Sequence, residues 1–487
     1  MSARSFQKSQ SRRRLNYSRL EPRHLLASIG TQVFDASTNT LFISGTDNDD
    51  AFRVELRPFD DEIRSGPLGI TSRIIDRTSD EVFSNINDLD RIVILAGAGT
   101  DTIQLMGTWS DLAPLEIEFF GGDGNDRLIT ELRGLESLTV SSVSLIAHGE
   151  DGNDQFEPQS TFFTGTTRFF GGNGDDVLIG GLGTDFLFGG QGNDELAGGD
   201  SDDQLFGGDG DDRLDGGEGN DLIVGHGGND TLIGDNSPEF SDDPGGNDVI
   251  FGGAGDDTVF ALGGADEVFG GLGEDEIFGG DGDDLILGGA GNDIIHGQAG
   301  NDNLIGQEDD DEIFGGQDDD TLLGNDGNDR LFGDQGIDRL FGTAGNDLLS
   351  GLDGDDILVG GTGEDSVSGG NGNDLLFGSE GDDILNGGLG NDTLLGGFGN
   401  DNVFGNLGND TLFGNEGDDE LVDNELNQGG GADFFDGGLG DDLLDSQSPT
   451  PNPLEVDRVR GGLGADSFRT SLTDNLLDFD PTIDSEI

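Results

Sequence analysis

The chain has no cysteine among its 487 residues. A disulfide framework, a thiolate nucleophile and a zinc–thiolate site are therefore excluded, and anything that holds the fold together outside a cell must be something else. Lysine is almost absent as well, Lys8 being the only one. No stretch approaches the ~18 consecutive apolar residues of a membrane-spanning helix, so no span is expected. Between residues 171 and 422 proline is confined to Pro238 and Pro244. Proline cannot donate to a ladder, so its confinement argues for regular β-structure through the rest of that stretch. Positive charge is scarce: 22 Lys and Arg face 102 Asp and Glu, for a formal net charge of −80. No basic patch lies beyond the first 30 residues. Such a polyanion repels a phosphate backbone, which excludes nucleic acid as a partner. Few core residues and strong self-repulsion are also the composition of disorder. Multivalent cations are the natural counter-charge.

What the chain has in abundance is glycine, 91 residues of it, set in a strict repeat of nine: Gly-Gly-x-Gly-x-Asp-x-Leu/Ile-x. Gly171-Gly172-Asn173-Gly174-Asp175-Asp176-Val177-Leu178-Ile179 is one unit, and the next ones start at Gly180 and Gly189. From Asp176 to Asp419 the sixth position falls every nine residues, 27 intervals and so 28 units. One unit, Gly234-Asp235-Asn236-Ser237-Pro238-Glu239-Phe240-Ser241-Asp242, has lost the motif but kept its length. In all the others position eight is apolar, from Leu178 and Leu187 to Leu421. Positions seven and nine flank it on a predicted three-residue strand and so face the other way. The remaining positions read as turn. Glycine at positions one, two and four allows positive φ, and the Asn or Asp common at position five tolerates the left-handed region. A loop curled this tightly can aim backbone carbonyls and the position-six carboxylate at one point. Hard oxygen donors, about six to eight of them, suit Ca²⁺ better than Mg²⁺, which demands near-octahedral geometry. One buried aliphatic side chain, worth about 1.5–3 kcal/mol, stands against the ordering of nine glycine-rich residues. The array is therefore predicted to be disordered without calcium and folded with it.

These nonapeptides resemble the RTX, or hemolysin-type, calcium-binding repeat family. The resemblance implies an all-β fold: a parallel β-roll (β-solenoid) with two nonapeptides per turn and each ion held between loops of successive turns. For this array that means 14 turns and about 26 enclosed Ca²⁺ ions. The ligands it implies are glycine-loop carbonyls with the position-six aspartates. In the wide-spaced and early units these are Asp126, Asp154, Asp176, Asp185, Asp194, Asp203, Asp212, Asp221 and Asp230. Further along they are Asp248, Asp257, Asp266, Asp275, Asp284, Asp293, Asp302, Asp311, Asp320, Asp329 and Asp338. The last are Asp347, Asp356, Asp365, Asp374, Asp383, Asp392, Asp401, Asp410, Asp419 and Asp442.

Five segments follow from this reading. Residues 1–30 are a basic targeting or disordered segment with Arg12-Arg13-Arg14, and Pro22, Arg23 and His24 interrupt any apolar signal core. Leu20-Glu21-Pro22-Arg23-His24-Leu25-Leu26 resembles the LEPR-x-LL export motif of planctomycete bacteria. Residues 31–170 are β-rich, with strand-like runs such as Arg91-Ile92-Val93-Ile94-Leu95 leading into wide-spaced Gly-Asp turns. They are expected to form either a longer-rung β-solenoid or a small β-sandwich. The β-roll itself spans 171–422. Interrupted repeats occupy 423–469, with units around Asp433, Asp442 and Asp466, and an acidic tail occupies 470–487.

A search for catalysis finds four histidines, His24, His148, His226 and His296, none in an H-E-x-x-H pattern, and no G-x-S-x-G elbow. Carboxylate pairs in 31–170 leave one alternative open, a secreted hydrolase or polysaccharide lyase that uses the repeats as an export and folding module. The primary expectation is a non-enzymatic, secreted or cell-surface protein that folds on Ca²⁺ and serves a structural, adhesive or matrix role. Its partners would be calcium and a cell surface, a matrix polymer or other copies of itself. Phenylalanines at position nine, such as Phe251, Phe278 and Phe332, would either pack along the ladder or form an exposed strip.

Overall fold

The computed structural model describes residues 31–35, 40–44, 51–57, 71–75, 91–109, 115–134, 143–158, 165–235, 245–423, 431–446, 457–469, 475–477 and 485–486. The basic N-terminal segment, the turn at 45–50, Pro238, Pro244 and the proline-rich stretch at 449–453 lie outside the described residues. Among the described residues every regular element is a β-strand. They divide into two compact units, one through His226 and one from Gly227 onward.

In both units the repeat strand is longer than its sequence suggests. Glu276–Asp281 is typical: six residues, positions seven to nine and then one to three of the following unit. The expected three-residue strand is thus corrected. The physical reason lies at position two, where Gly271 and Gly289 adopt φ of 122° and 129°. That kink turns the chain without ending its pairing, because Gly271 still lies opposite Gly289 in the ladder. Only positions four to six remain as turn. Along the strand Ile277 and Gly279 point inward while Glu276 and Phe278 do not, so one large apolar side chain per strand enters the core.

The first unit begins with two antiparallel hairpins, Thr31–Asp35 with Thr40–Ser44 and Ala51–Arg57 with Thr71–Ile75. Each then joins a parallel stack, through Thr40 opposite Arg91 and Ala51 opposite Thr102. Hairpins at this position occupy sheet edges that would otherwise template other chains. The parallel rungs that follow have unequal lengths. Arg91 lies opposite Glu116, Glu116 opposite Ser144, Ser144 opposite Thr166 and Arg168 opposite Phe186. The matching loop contacts span 25, 28, 22 and finally 18 residues. Of the two folds expected for residues 31–170, these pairings are those of a longer-rung β-solenoid. Successive strands alternate between two sheets, so from Asp176 two nonapeptides make one 18-residue turn.

The second unit repeats that 18-residue turn with little variation, as in Glu312 opposite Arg330. One turn is different. Thr231 lies opposite Thr258, and the corresponding loop contact spans 27 residues. That turn is nine residues longer than the regular one, which is the length of the degenerate unit at 234–242. Past Asp419 the turns lengthen to 23 and 24 residues.

Candidate metal centre

Every position-six aspartate named above, from Asp126 to Asp442, is at most 3% exposed. The fold brings them into files along the loop edges. Each carboxylate reaches back across one turn: the backbone N–H of Asp176 donates to Oδ1 of Asp194 at 2.8 Å, and that of Asp194 to Oδ1 of Asp212 at 2.8 Å. The same link joins Asp284 to Asp302, Asp302 to Asp320 and Asp320 to Asp338, all at 2.8 Å. Oδ1 is thereby satisfied. Oδ2 is not: in Asp176, Asp194, Asp284, Asp302, Asp356 and Asp374, among others, it is buried without a hydrogen-bond partner. A buried polar atom left this way costs about 1–3 kcal/mol, more when it carries charge.

The glycines explain how that oxygen is accommodated. A Cβ on position-one Gly189 would lie 2.2 Å from Oδ2 of Asp194, so this glycine makes room for the carboxylate rather than supplying positive φ. Positive φ belongs to positions two and four, such as Gly190 at 126° and Gly192 at 122°. There a Cβ would strike the carbonyl oxygens of Gly172 and Gly174 in the preceding turn, at 2.1 and 2.2 Å. Those carbonyls face the next loop. The carbonyls of positions three and six are already used, since Gln191 accepts from Gly174 N–H and Asp176 from Glu195 N–H.

Position five corrects the sequence reading. No described residue there adopts positive φ. Its Asn and Asp side chains instead form an outer ladder: Asn193 N–H donates to Asp175, and Asp211 N–H to Asn193, at 3.0 and 3.1 Å. Asn220, Asn301 and Asn328 each donate both backbone and side-chain N–H to the carboxylate one turn away, which holds Asp202, Asp283 and Asp310 below the usual carboxylate range.

The inner carboxyls move the other way. Burial, opposed by the accepted backbone N–H and reinforced by neighbouring aspartates, pushes Asp176, Asp284 and Asp320 up to about 8 and Asp203 to about 9. Burial thus favours the protonated form of these carboxyls wherever no counter-ion stands beside them. The donor set of buried carboxylate oxygens beside inward-facing carbonyls, with neither nitrogen nor sulfur, fits a hard cation such as Ca²⁺.

The files also include residues that the sequence reading left out. Asp101 belongs to one, its N–H donating to Asp126 Oδ1 at 2.7 Å, and Asp466 to another, as Oδ1 acceptor for Asp442 N–H. Both follow recognisable turns, Gly97-Ala98-Gly99-Thr100 and Gly461-Gly462-Leu463-Gly464-Ala465. Asp433 follows a degenerate glycine turn, and its N–H donates to Asp457 Oδ1 at 3.0 Å. Asp457 follows Pro453-Leu454-Glu455-Val456 and carries no sequence signal at all. Buried Asp423 occupies a position one, where glycine stands in most repeats, and its charge adds to the burial that raises Asp433 above the usual carboxylate range.

The histidines take structural places. His148 stacks between Phe120 and Phe170 at 4.7 and 4.9 Å, and His296 between Phe278 and Phe314 at 4.9 and 4.7 Å. His226 stands at a position two with φ of 82°, and His24 lies outside the described residues. No helix among the described residues is long and apolar enough to cross a membrane. No curated protein matches the chain. The RTX calcium-binding nonapeptide repeat model matches residues 163–196, 197–232, 245–277, then overlapping segments through 394, and finally 395–422 and 427–446. These matches span more than half of the chain, which belongs to the RTX calcium-binding nonapeptide repeat family.

Proposed function

We propose that this protein is exported and folds on Ca²⁺ held between successive loops, and that it then serves as a structural or adhesive element outside the cell. The ligands are the position-six aspartates through Oδ2, with the position-two and position-four carbonyls. The observation that carries the reading is the file of buried Oδ2 atoms with no hydrogen-bond donor. A row of ions converts that liability into binding energy, which in such a system is also folding energy. Extracellular millimolar calcium suits weak-affinity modules, whereas submicromolar cytosolic calcium would leave the chain unfolded for export. Circular dichroism during a calcium titration of the full chain is the test. A cooperative gain of β-signal in the micromolar-to-millimolar range is expected. Full β-signal in excess chelator would refute the reading, as would a stronger response to Mg²⁺.

A further inference from the structure

One outer face of the second unit differs from the rest of this polyanion. Ten strands of one sheet, from Val249–Ala254 to Thr411–Glu416, place their position-nine residues in a single outward column. The register runs from Phe251 to Phe269 and Leu287, then through Leu323 and Phe341 to Phe413. Every rung between them is Phe, Leu, Ile or Val. The next position is Asp436, which ends the column. On the second unit's other sheet the corresponding column is broken by His296, Ser350, Ser368 and Asn386.

The columns on either side of this stripe are nearly uncharged. Across the ten strands, positions seven and two hold only one acid and one base, Glu267 and Arg339. At position three, the margin of the same sheet, Leu272 and Phe398 are 61% and 56% exposed, and Glu308, Asp326, Glu380 and Glu416 in that column set the edge of the uncharged face. In a chain with net charge −80 this absence of charge is a requirement of whatever meets the face. A cationic partner would be drawn to the acidic loop edges instead. With 22 basic residues against 102 acidic ones, this chain has too few cations to pair acid with base across a two-fold interface, so a face that meets an identical copy must be nearly uncharged. The area also fits. Ten rungs at ~4.8 Å and the five residues from position seven to position two give a patch about 45 Å by 16 Å, on the order of 700 Å² per partner, within the range of a stable interface.

We infer that two calcium-folded copies of this chain dimerise face to face through the Phe251–Phe413 stripe, as two packed sheets. The inference rests on the calcium-dependent fold proposed above and names the partner of its adhesive role. The experiment is sedimentation equilibrium of the full chain in calcium, from about 1 to 100 µM, with β-signal checked in parallel. The native chain is expected to pass from monomer to dimer. Leu323→Asp and Ile305→Asp should weaken association at least about a hundredfold by burying an unpaired charge, with calcium-induced β-signal retained. Ser368→Asp, on the other sheet, should leave association unchanged. Because the chain lacks cysteine, Leu323→Cys also provides a unique cross-link, expected to form a covalent dimer under oxidation while Ser368→Cys does not. A fully folded native chain that stays monomeric, or a Leu323→Asp variant that dimerises like the native chain, would overturn the dimer alone. A native chain without calcium-induced β-signal would instead sink the fold on which it depends.

Discussion

The long rungs of residues 91–173 and the regular rungs of residues 245–423 solve the same problem in different currencies. Arg91–Ala98, Leu115–Asp123 and Val143–Asp151 in the first region are eight or nine residues long, and the first of them buries Ile92, Ile94 and Ala96. Its neighbours add Ile117 with Phe119 and Val143 with Leu145, while Phe119, Phe156 and Phe169 meet edge to face at 5.7 and 5.6 Å. A regular rung strand, such as Asn303–Glu308, buries only Leu304 as a large apolar side chain. The acidic files differ accordingly. In the long rungs one file of aspartates runs through Asp101, Asp126, Asp154 and Asp176. The companion file begins only at Asp185, whose Oδ1 receives the N–H of Thr167 rather than of an aspartate. In the regular rungs both files are complete, one through Asp257 and Asp275 and the other through Asp266 and Asp284. Apolar burial and buried carboxylate thus trade against each other, and under the calcium-dependent fold proposed above the region with the thinner core should depend more on metal.

Calcium removal should separate the two regions, and this is the largest effect expected. Hydrogen exchange on the full chain, followed by mass spectrometry, would be compared in calcium and in excess chelator. Amides from 245 to 422 are expected to lose nearly all protection on chelation. Amides of Arg91–Ala98, Leu115–Asp123 and Val143–Asp151 should keep a measurable part of theirs, because more of their stability comes from buried apolar area. Equal loss in both regions would break the comparison.

Acid should partly replace calcium in the regular rungs. Burial raises Asp257 and Asp383 from the ordinary 3.8 to about 7, Asp311 to about 8 and Asp302 to about 6. A carboxyl whose folded-state value lies above its unfolded one favours folding below the unfolded value. That contribution is lost as pH rises through the folded value. The metal-free roll should therefore gain most from these carboxyls near and below pH 4 and lose that advantage progressively between about pH 4 and 8. Circular dichroism in chelator is expected to show more β-signal at pH 5 than at pH 9. The opposite slope would mean that these carboxylates are ionised in the metal-free fold.

Much of this division was legible in the residues. The period of nine, the inward position eight and the position-six aspartate mark a stack of like strands and turns, because each repeat must bury the same side chain and curl the same loop. The two-sheet roll with two units per turn came from the family resemblance. Strand length was not legible, because a glycine kink such as Gly271 looks like turn in sequence yet keeps its ladder partner. The role of position five was hidden for a related reason. Asn193 and Asp175 suit a left-handed residue and a side-chain ladder equally well, and only the stacking of turns selects the ladder. Asp457 could not have been found, since its place is set by the turn below it and not by the residues before it. The rung lengths of residues 91–173 were half visible, through turns about 25 residues apart, but sandwich and solenoid differ only in which strands pair.

Core truncation should sharpen the contrast at single residues. Phe119→Ala removes a fully buried ring from the aromatic cluster and is expected to cost about 3–5 kcal/mol. Leu304→Ala, also fully buried, is expected to cost about 2–5 kcal/mol. The difference lies in when each is seen. Phe119→Ala should accelerate exchange in Arg91–Ala98 and Leu115–Asp123 with or without calcium, whereas Leu304→Ala should act only on the calcium-loaded chain. A Leu304→Ala effect that persists in chelator would show that the regular rungs hold themselves together.

The smallest expected effect comes from backbone strain at position two, where a matched pair exists in the two regions. Glu150 and Leu262 adopt φ of 78° and 82°, in the region that costs a residue with a Cβ about 1–2 kcal/mol relative to glycine. Replacing either with glycine relieves that strain, although glycine's greater freedom in the unfolded chain offsets part of the gain. A net stabilisation of up to about 1 kcal/mol is expected at each site. Leu262→Gly should appear as a shift of the calcium midpoint to lower concentration, since its rungs are proposed to fold with the ion. Glu150→Gly should appear as slower exchange of Val143–Asp151 in chelator, where no midpoint exists to shift. If both substitutions move the calcium midpoint equally and neither changes exchange in chelator, the long rungs are as metal-dependent as the regular ones, and their extra burial is not what holds them.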